Sequence, residues 1–494
     1  MVDKTQSDNQ IKQDNQVEAS KKNKSLKTLL KEIEKKNGTD SIMKLSKKND
    51  TQTYSPNITN NKIKTRINFS SIDNLNPMEI FNSYYTTPKY YQIDSIEDYI
   101  KCVLKLSSSY YELAFRGEPN IYSDTIASVF RTNSNSYIPD MLKKEYYREI
   151  GHSLMSLEQE NFLSYSQHHG LPTELLDITK IPLYALYFAC SENPESQIGI
   201  VHIYNIEQAL DLSSLTTNYS FNNQIFDINK YIMNYYVHDT IEVDNFFEVF
   251  TNFLNRNSTC TNRLLGEVSI YLNDLEVYIT DYVKEQLTDR EIKILELLST
   301  YKLKYAEFDS LYSFGIEITN SILELDEISP SPSKKYKNYC NFSKFSFNKN
   351  LIQIYLELLG MAFKIFDLII GAIEKDDPLQ NAKEVDSFMK NFFLPPLPLI
   401  KYSPSVKFDR IKTQEGEFIY QIYKIYKAQL FMDGEEVKRS TRINLLVQKI
   451  NSNTRLVITN KQKILKQLDY LGINRKLTFP DSDNIALYIK DKYM

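Results

Sequence analysis

Apolar and polar residues are unevenly distributed along the chain, and the pattern predicts a polar leading segment followed by a folded remainder. Residues 1–72 are rich in Lys, Asn, Gln, Ser and Thr and nearly free of aromatic residues, which is typical of disorder. Within them, four apolar residues recur at helical spacing behind Ser25 and predict one short helix over 25–36. The segment is moderately basic while the rest of the chain is acidic, which fits either a docking arm for nucleic acid or membrane, or a solvated tail.

The elements predicted after this segment begin with strands and helices in alternation. Strands are predicted over 110–117, 173–179 and 198–204. Helices are predicted over 139–166 and from Pro182, because proline suits the first turn of a helix.

The pattern becomes mainly helical between 206 and 392, where long helices are predicted over 222–255, 286–309, 348–374 and 378–391. A Ser-Pro run over 329–333 predicts a linker. The apolar stretch 351–373 is long enough to span a bilayer, but Glu357, Lys364 and Asp367 share one of its helical faces. A buried amphipathic helix is therefore predicted, and no membrane span, because charges at bilayer depth cost a few kcal/mol each.

Strands are predicted again over 408–426 and 441–458, followed by helices over 461–472 and from Ser482. Strand-rich segments thus flank a long helical one. This order fits either three consecutive domains or one α+β domain that carries a large helical insertion.

Composition narrows the class of protein. The 494 residues are 42% hydrophobic and 13% aromatic, enough to bury a large core. A net charge of −4 and a pI near 5.9 argue against a dedicated nucleic-acid-binding protein. Four widely separated cysteines and an N-terminus without an apolar signal segment indicate a reducing, cytoplasmic location. The motifs of kinases, P-loop NTPases, zinc proteases and α/β-hydrolases do not occur in the sequence, so these activities are excluded.

Three separated groups of residues resemble the FRG domain family, which takes its name from a Phe-Arg-Gly motif. The first group is Phe115-Arg116-Gly117, followed by 128–131. The second and most specific is Gln-His-His-Gly-Leu-Pro-Thr at 167–173 with Leu-Leu-Asp at 175–177. The third resembles the closing part of the family and consists of Arg410, Ile411, Gln414, Gly416 and Phe418, with 468–473 and 479–481 as the usual ending.

The resemblance covers about 75–205 and 395–494 and skips the middle, which implies one discontinuous FRG-type domain with a mixed sheet. The predicted division is a disordered tail over 1–72, an FRG domain over 73–205 and 395–494, and a helical insertion over 206–394. Two positions depart from the family pattern. Glu174 stands where the family usually has Arg, and Ile178 stands where Trp is common. The charge reversal at Glu174 leaves open whether the chemistry of the family is retained.

The first two motifs contain groups suited to an anionic ligand. Arg116 ends an apolar strand and offers a guanidinium that can hold phosphate, and Gly117 would let a ligand approach the backbone. The alternative for Arg116 is a structural pair with a carboxylate such as that of Asp177. His168 fits a general base, and His168 or His169 fits a polar ligand contact or a loop cap. Adjacent histidines are poorly placed to share one metal ion, so no metal site is predicted.

Further candidates lie on the later strands and the helix between them. Asp177 and Thr179 share one strand face by alternation, and Tyr187 lies on the following helix. Gln414 and Glu417, near the start of a late strand, offer acceptors for ribose hydroxyls or belong to an exposed polar turn.

In chain order these residues are similar to those of ADP-ribosyltransferases, in which an early Arg or His holds NAD and a late Glu stabilises the oxocarbenium ion. The similarity implies that the catalytic residues are Arg116, His168, Asp177, Gln414 and Glu417. It implies that NAD, as a substrate, is bound by Arg116, Gly117, His169, Thr179 and Tyr187.

The function implied by the resemblance is that of an intracellular effector, because FRG proteins are typically bacterial or phage-associated. A toxin or phage-defence role on a small nucleotide or NAD follows, with ADP-ribosyltransferase or NAD glycohydrolase chemistry. The alternative is a non-catalytic module that binds a ligand or a protein. The sequence names neither the substrate nor any protein or nucleic-acid target.

Overall fold

A computed structural model describes most of the chain outside the N-terminal segment. The described ranges are 67–108, 111–122, 125–131, 139–191, 198–212, 243–302, 310–328, 349–376, 384–385, 387–389, 391–430 and 440–494. The helix predicted over 25–36, the linker predicted over 329–333 and residues 222–242 of another predicted helix lie outside these ranges.

Nine strands within the described ranges form one mixed sheet. In chain order they are β1 (Phe69–Ser70), β2 (Lys89–Ile93), β3 (Leu113–Glu118), β4 (Leu175–Thr179), β5 (Gly199–Asn205), β6 (Ala209–Asp211), β7 (Leu399–Tyr402), β8 (Gly416–Tyr420) and β11 (Thr454–Ile458). Their spatial order is β1-β2-β11-β5-β3-β4-β8-β7-β6. An antiparallel pair, β9 (Tyr423–Leu430) and β10 (Ser440–Val447), stands apart from this sheet.

Strands from before and after the helical region lie side by side in the sheet. β4 pairs antiparallel with β8, with Leu176 opposite Ile419. β11 runs parallel to β2 on one side and antiparallel to β5 on the other. This pairing confirms the prediction that strands on either side of the helical region join one sheet, while the domain boundaries at 205 and 395 stay predictions. β1 falls within the predicted tail, so regular structure begins before residue 72.

The helices lie mostly between the strands and in one long run after β6. They are α1 (Ile96–Leu106), α2 (Pro139–Ile150), α3 (Ser156–Glu160), α4 (Phe162–His168), α5 (Pro182–Ser191), α6 (Val243–Arg256), α7 (Ser258–Glu276), α8 (Asp281–Glu285), α9 (Asp289–Lys302), α10 (Leu311–Ile328), α11 (Lys349–Asp376), α12 (Asp409–Thr413), α13 (Lys461–Tyr470), α14 (Arg475–Thr478) and α15 (Ser482–Tyr493). Short 3₁₀ turns occur at Ile72–Asn74, Pro77–Glu79, Ser128–Phe130 and Gly151–Ser153.

Local sequence explains several of these elements. β5 is buried at every residue, as expected for a β-branched, apolar strand inside a sheet covered on both faces. α1 begins after Ser95, whose hydroxyl accepts a hydrogen bond from the Asp98 N–H. α12 occupies the start of the segment predicted as a strand over 408–426, which corrects that prediction.

Apolar side chains form three buried clusters around the sheet. The largest joins helices of the long run to strand residues such as Leu175, Phe418 and Tyr420. A second packs α1, α5 and α13 against β2, β3, β5 and β11. The third covers the opposite face of β4 at Leu176 and Ile178. Phe115 of β3 and Leu176 of β4 fall into different clusters, because they face opposite sides of the sheet, and Ile411 of α12 packs in the largest cluster.

The helix predicted over 348–374 is α11, and the three charged residues that share one of its faces, Glu357, Lys364 and Asp367, are paired. Arg290 of α9 donates to both carboxylate oxygens of Glu357 at 2.6 and 3.0 Å. Lys364 pairs with Glu291, and Asp367 pairs with Lys424. Among the described helices, none is both long enough and apolar enough to cross a membrane. α7 escaped prediction because it is buried on nearly every side and has no amphipathic period.

Candidate functional site

The site begins where β3 and β4 diverge. One residue pair, Phe115 opposite Thr179, joins the two strands. Beyond it, Nη1 of Arg116 donates to the backbone carbonyl of Asp177 at 2.8 Å. The guanidinium of Arg116 therefore lies at the point where the two motif-bearing strands separate. Burial alone would lower the pKa of Arg116, but the negative charges of Glu118 and Asp177 raise it and keep the group charged.

Glu118, two residues along β3, is the centre of a charge cluster. It accepts a hydrogen bond from Nε of Arg116 at 3.0 Å and faces Nε2 of His202 at 3.2 Å. Nη2 of Arg131 lies 4.0 Å from the same carboxylate. Burial alone would raise the pKa of Glu118, but the hydrogen bond with His202 and the charge of Arg116 lower it to about 2. Two guanidinium groups thus converge on one ionised carboxylate.

His202 of β5 is buried, and its ring state follows from this neighbour. Burial lowers the pKa of His202 although the Glu118 hydrogen bond and charge raise it, so the ring is neutral at pH 7. Because a carboxylate only accepts hydrogen bonds, Nε2 of His202 carries the proton. The buried Nδ1 then has no hydrogen-bond partner within the described part of the chain. Glu118 therefore fixes both Arg116 and the histidine tautomer.

Gly117 serves helix packing. A Cβ atom at this position would lie 1.9 Å from the carbonyl oxygen of Ala185 in α5. In the structure α5 makes a close backbone approach to Gly117, and the ligand contact expected at Gly117 stays a prediction. Tyr187 of the same helix is buried in the second cluster, packed at 5.9 Å from the Phe188 ring.

Asp177 and Thr179 share one face of β4, as the alternation predicted. The Asp177 side chain is exposed and accepts a hydrogen bond from Nε2 of Gln167 at 3.2 Å. Gln167 in turn accepts from the Thr173 hydroxyl at 2.6 Å, so the Gln-His-His-Gly string is tied to β4. The Thr179 hydroxyl donates to the carbonyl of Gln414 at 2.5 Å. The first, second and third motif groups therefore meet around β4.

Gln414 belongs to this meeting point through its backbone and side chain. Its Nε2 donates to the carbonyl of Thr478 at 2.8 Å, next to Phe479-Pro480-Asp481. Gln414 is buried, so its amide holds the closing segment in position.

Glu417 lies on the opposite face of the sheet from Asp177. It stands opposite Ile178, whereas Asp177 stands opposite Phe418. Phe115 stands opposite Thr179, so the next residue of β3, Arg116, lies beside Ile178 of β4. Because Ile178 stands opposite Glu417, Arg116 and Glu417 lie on the same face of the sheet, with β4 between them. The predicted group of catalytic residues is thus divided between the two faces of the sheet.

The carboxylate of Glu417 is buried beside a lysine. Nζ of Lys180 lies 3.3 Å from Oε1 of Glu417 and 2.5 Å from Glu112. Oε2 of Glu417 has no hydrogen-bond partner among the residues that the structure describes. Glu415, just before β8, has a left-handed backbone with φ of 44°, which is uncommon for a residue other than glycine.

His168 and His169 lie at the C-terminal end of α4. The ring of His168 stacks against Phe408 with centroids 5.5 Å apart, and His169 lies 4.3 Å from Tyr165. Burial, together with His169 and Arg410, lowers the pKa of His168, so this ring is neutral at pH 7. Its buried Nδ1 has no partner within the described ranges.

The departure at Glu174 has a structural compensation. Its carboxylate is fully buried and accepts from Nζ of Lys143 in α2 at 2.5 Å. Burial alone would lower the pKa of Lys143, but Glu174 and Asp140 raise it, so the ammonium stays charged. The acidic residue at 174 is therefore matched by a buried cation on a neighbouring helix.

Glu118, which binds Arg116, was not predicted from the sequence, and neither was the contact of His202 with Glu118. Glu118 had a signal in its position two residues after Arg116, on the same strand face. His202 had none, because its opposition to Arg116 depends on the pairing of β3 with β5. Among the described residues, no cluster of three metal-ligating side chains occurs.

Comparison with known proteins supports the motif assignment. The family model of the FRG domain matches residues 111–197, which include β3, α4, β4 and α5. The predicted resemblance to this family is confirmed over that range. Searches of curated proteins and of solved structures returned no significant match.

Proposed function

We propose that this FRG-domain protein binds a small phosphate-bearing nucleotide of the NAD class at the opening between β3 and β4. Arg116 is the phosphate clamp in this proposal, with Arg131 as a second cation. An effector role of the toxin or phage-defence type remains part of the proposal and rests on the family resemblance alone.

The convergence of Arg116 and Arg131 on Glu118 carries the proposal. Two guanidinium groups meet at the Glu118 carboxylate, the Asp177 carboxylate is a second negative charge near Arg116, and Arg131 is 48% exposed. Arg116 uses Nε and Nη1 in its hydrogen bonds with other described residues, which leaves Nη2 for an anion. Planar guanidinium groups suit phosphate because they present paired donors.

Thermal unfolding with and without NAD tests the binding site. At a hundredfold excess over the dissociation constant, bound ligand should stabilise the fold by about 2.7 kcal/mol and raise Tm. Arg116→Ala should abolish the shift, and Arg116→Lys should reduce it, since an ammonium group lacks the paired donors. Arg148→Ala is the matched control, because Arg148 is exposed on α2 and pairs only with Glu145 among the described residues. If NAD raised the Tm of Arg116→Ala as much as that of the wild type, Arg116 would not be the phosphate clamp.

A catalytic version of this function is favoured by one observation at Glu417. This buried carboxylate shares a sheet face with Arg116, and its Oε2 has no partner among the described residues. A carboxylate near the ribose stabilises the positive charge that develops at C1′ as the bond to nicotinamide breaks. In hydrolysis, water supplies the hydroxyl group that C1′ gains, nicotinamide leaves with the electron pair of the broken bond, and one proton is released.

Release of nicotinamide from NAD by the purified protein tests the catalytic version. The wild-type chain should release it, and Glu417→Gln should reduce the rate while leaving the Tm shift with NAD in place. Binding without any release would favour the alternative, a non-catalytic module that recognises a nucleotide. A protein that neither binds NAD nor releases nicotinamide from it would contradict both the catalytic and the non-catalytic version.

A further inference from the structure

Four aromatic side chains form a contiguous surface at the end of α4. The Tyr165 and His169 rings lie 4.3 Å apart, and the His168 and Phe408 rings stack at 5.5 Å. The pairs are joined by a Tyr165–Phe408 contact at 5.7 Å and a His168–His169 contact at 5.0 Å. We name these four residues the aromatic platform.

The platform lies at the edge of the largest core cluster, against which Phe408 packs, and it is partly open to solvent. His169 is exposed, and Tyr165, His168 and Phe408 are half-buried. An aromatic surface of this kind offers π-faces to a planar ligand at little cost, because the rings are already held by each other. His168 adds no charge to it, since burial, His169 and Arg410 lower its pKa.

The platform is connected to Arg116 by a short chain of contacts. Gln167 precedes His168 and donates to the Asp177 carboxylate at 3.2 Å. The carbonyl of Asp177 accepts from Arg116 at 2.8 Å. A ligand that reaches both would carry its phosphate at the opening between β3 and β4 and its flat ring on the face of the sheet where the Asp177 side chain lies.

Charged groups of both signs border the platform on the side of α12, and the negative charges of Asp409 and Asp481 oppose the lowering of the His168 pKa. Lys407 is exposed and precedes Phe408. Arg410 lies over the Phe479 ring at 4.6 Å and is close enough to His168 to influence its pKa. Aromatic rings interleaved with cations are a common means of holding nucleotides, because every base has a π-face and every nucleotide a negative charge.

We propose that the aromatic platform is the stacking site for the base of the nucleotide whose phosphate is held at Arg116. The proposal rests on the proposed function and adds the position and chemical class of the second ligand group, a purine or similar heterocycle. Tyr165 and His169 supply the stacking surface, and Phe408 and His168 support it.

A unique fluorophore provides a direct test. The chain contains no tryptophan, so His169→Trp introduces the only indole, at an exposed position. Addition of AMP or NAD should quench its fluorescence saturably, whereas ribose 5-phosphate, which lacks a base, should not. Tyr312→Trp, at a 41% exposed position on α10, is the matched control and should not respond.

Calorimetric titration of the wild-type chain with AMP gives a second measurement. Tyr165→Ala should weaken binding about 10-fold, in the range found for loss of one stacking side chain. Tyr165→Phe keeps the ring and should bind as the wild type does. Equal losses in Tyr165→Ala and Tyr312→Ala would overturn the stacking role.

The failure of this inference is distinguishable from failure of the phosphate site. If NAD raises Tm through Arg116 but AMP and NAD leave the indole of His169→Trp unquenched, the platform is overturned and the phosphate site stands. If AMP still quenches the indole when Arg116→Ala is added, the platform stands and the phosphate clamp is overturned. Quenching of Tyr312→Trp to the same extent would overturn the platform, because it would show non-specific contact.

Discussion

Glu118 is held ionised in a buried position by Arg116 and His202, and this gives a testable pH dependence. Its pKa falls from the ordinary 4.5 to about 2 in the folded chain, so the unfolded chain takes up the proton first as the pH drops. The associated stability is present above pH 4.5 and is lost between about pH 4.5 and pH 2. It amounts to about 3 kcal/mol.

Urea unfolding at several pH values between 5 and 2 checks this expectation. The variant Glu118→Gln has nearly the same size and does not titrate, so its stability should fall less steeply over this window. If the free energy of unfolding fell equally steeply with pH in the wild type and in Glu118→Gln, Glu118 would not be the group that causes the loss of stability.

Gly117 is required by the contact between β3 and α5. Gly117→Ala should lower the free energy of unfolding by about 1–3 kcal/mol, as overpacking does, because the new Cβ would meet the Ala185 carbonyl. Gly371→Ala is the control within α11, where a Cβ atom meets nothing within 4 Å and alanine favours the helix by about 1 kcal/mol. A neutral Gly117→Ala would show that α5 can move away from the strand.

The buried pair of Glu174 and Lys143 predicts a charge-exchange experiment. Glu174→Arg puts two cations together at a site with no exposed surface and should destabilise the fold by about 3–5 kcal/mol. Adding Lys143→Glu restores opposite charges and should recover part of the loss, measured by Tm. No recovery in the double variant would mean that shape rather than charge governs this position.

At the scale of elements, α15 stands out because none of its 12 residues is buried. It is attached by surface contacts such as Tyr488 to Asp469 at 2.8 Å and Arg475 to Asn484 at 2.8 Å. Removal of residues 482–494 should therefore change the free energy of unfolding by less than about 1 kcal/mol.

Leu468→Ala on α13 is the contrasting case. Leu468 is fully buried in the second cluster, and its truncation should cost about 2–5 kcal/mol. Chemical denaturation gives the free energy of unfolding of the truncated chain and of Leu468→Ala for comparison. A truncation of α15 as costly as Leu468→Ala would mean that the helix has a packing role beyond these contacts.

At the scale of the whole molecule, the helical run and the sheet share their largest core. Leu175, Phe418 and Tyr420 of the sheet pack in the same cluster as Leu264, Phe366 and other residues of the helices. Loop-closure entropy alone would permit replacement of residues 206–392 by a short linker, since it changes slowly with length. Because the helices and the sheet share this core, we expect that the sheet would not fold without the helices.

Replacement of 206–392 by a Gly/Ser linker should expose this apolar face of the sheet and give aggregated protein. Gel filtration after expression measures the outcome. A monomeric, cooperatively unfolding product would mean that the sheet folds without the helical run.

Much of the site could be read from local sequence because its motifs are short and contiguous. Phe115-Arg116-Gly117, the Gln-His-His-Gly string and Leu-Leu-Asp identified the FRG resemblance, and their alternation placed Asp177 and Thr179 on one strand face. Local sequence could not predict which side chains contact the motif residues and their neighbours. His202 and Lys143 reach Glu118 and Glu174 across strand pairings and helix packing.

We could predict from the residues alone the strands and helices with clear periodicity and the motifs of the FRG domain, since both are properties of neighbouring residues. The face of the sheet on which each polar group lies depends on strand pairing: Asp177 lies on one side and Glu417 on the other, with the Arg116 guanidinium between β3 and β4. The fold also places Gly117 directly against α5 and buries α7 on nearly every side. Strand register and helix packing are set by contacts between segments that are distant in the chain, and no local pattern encodes those contacts.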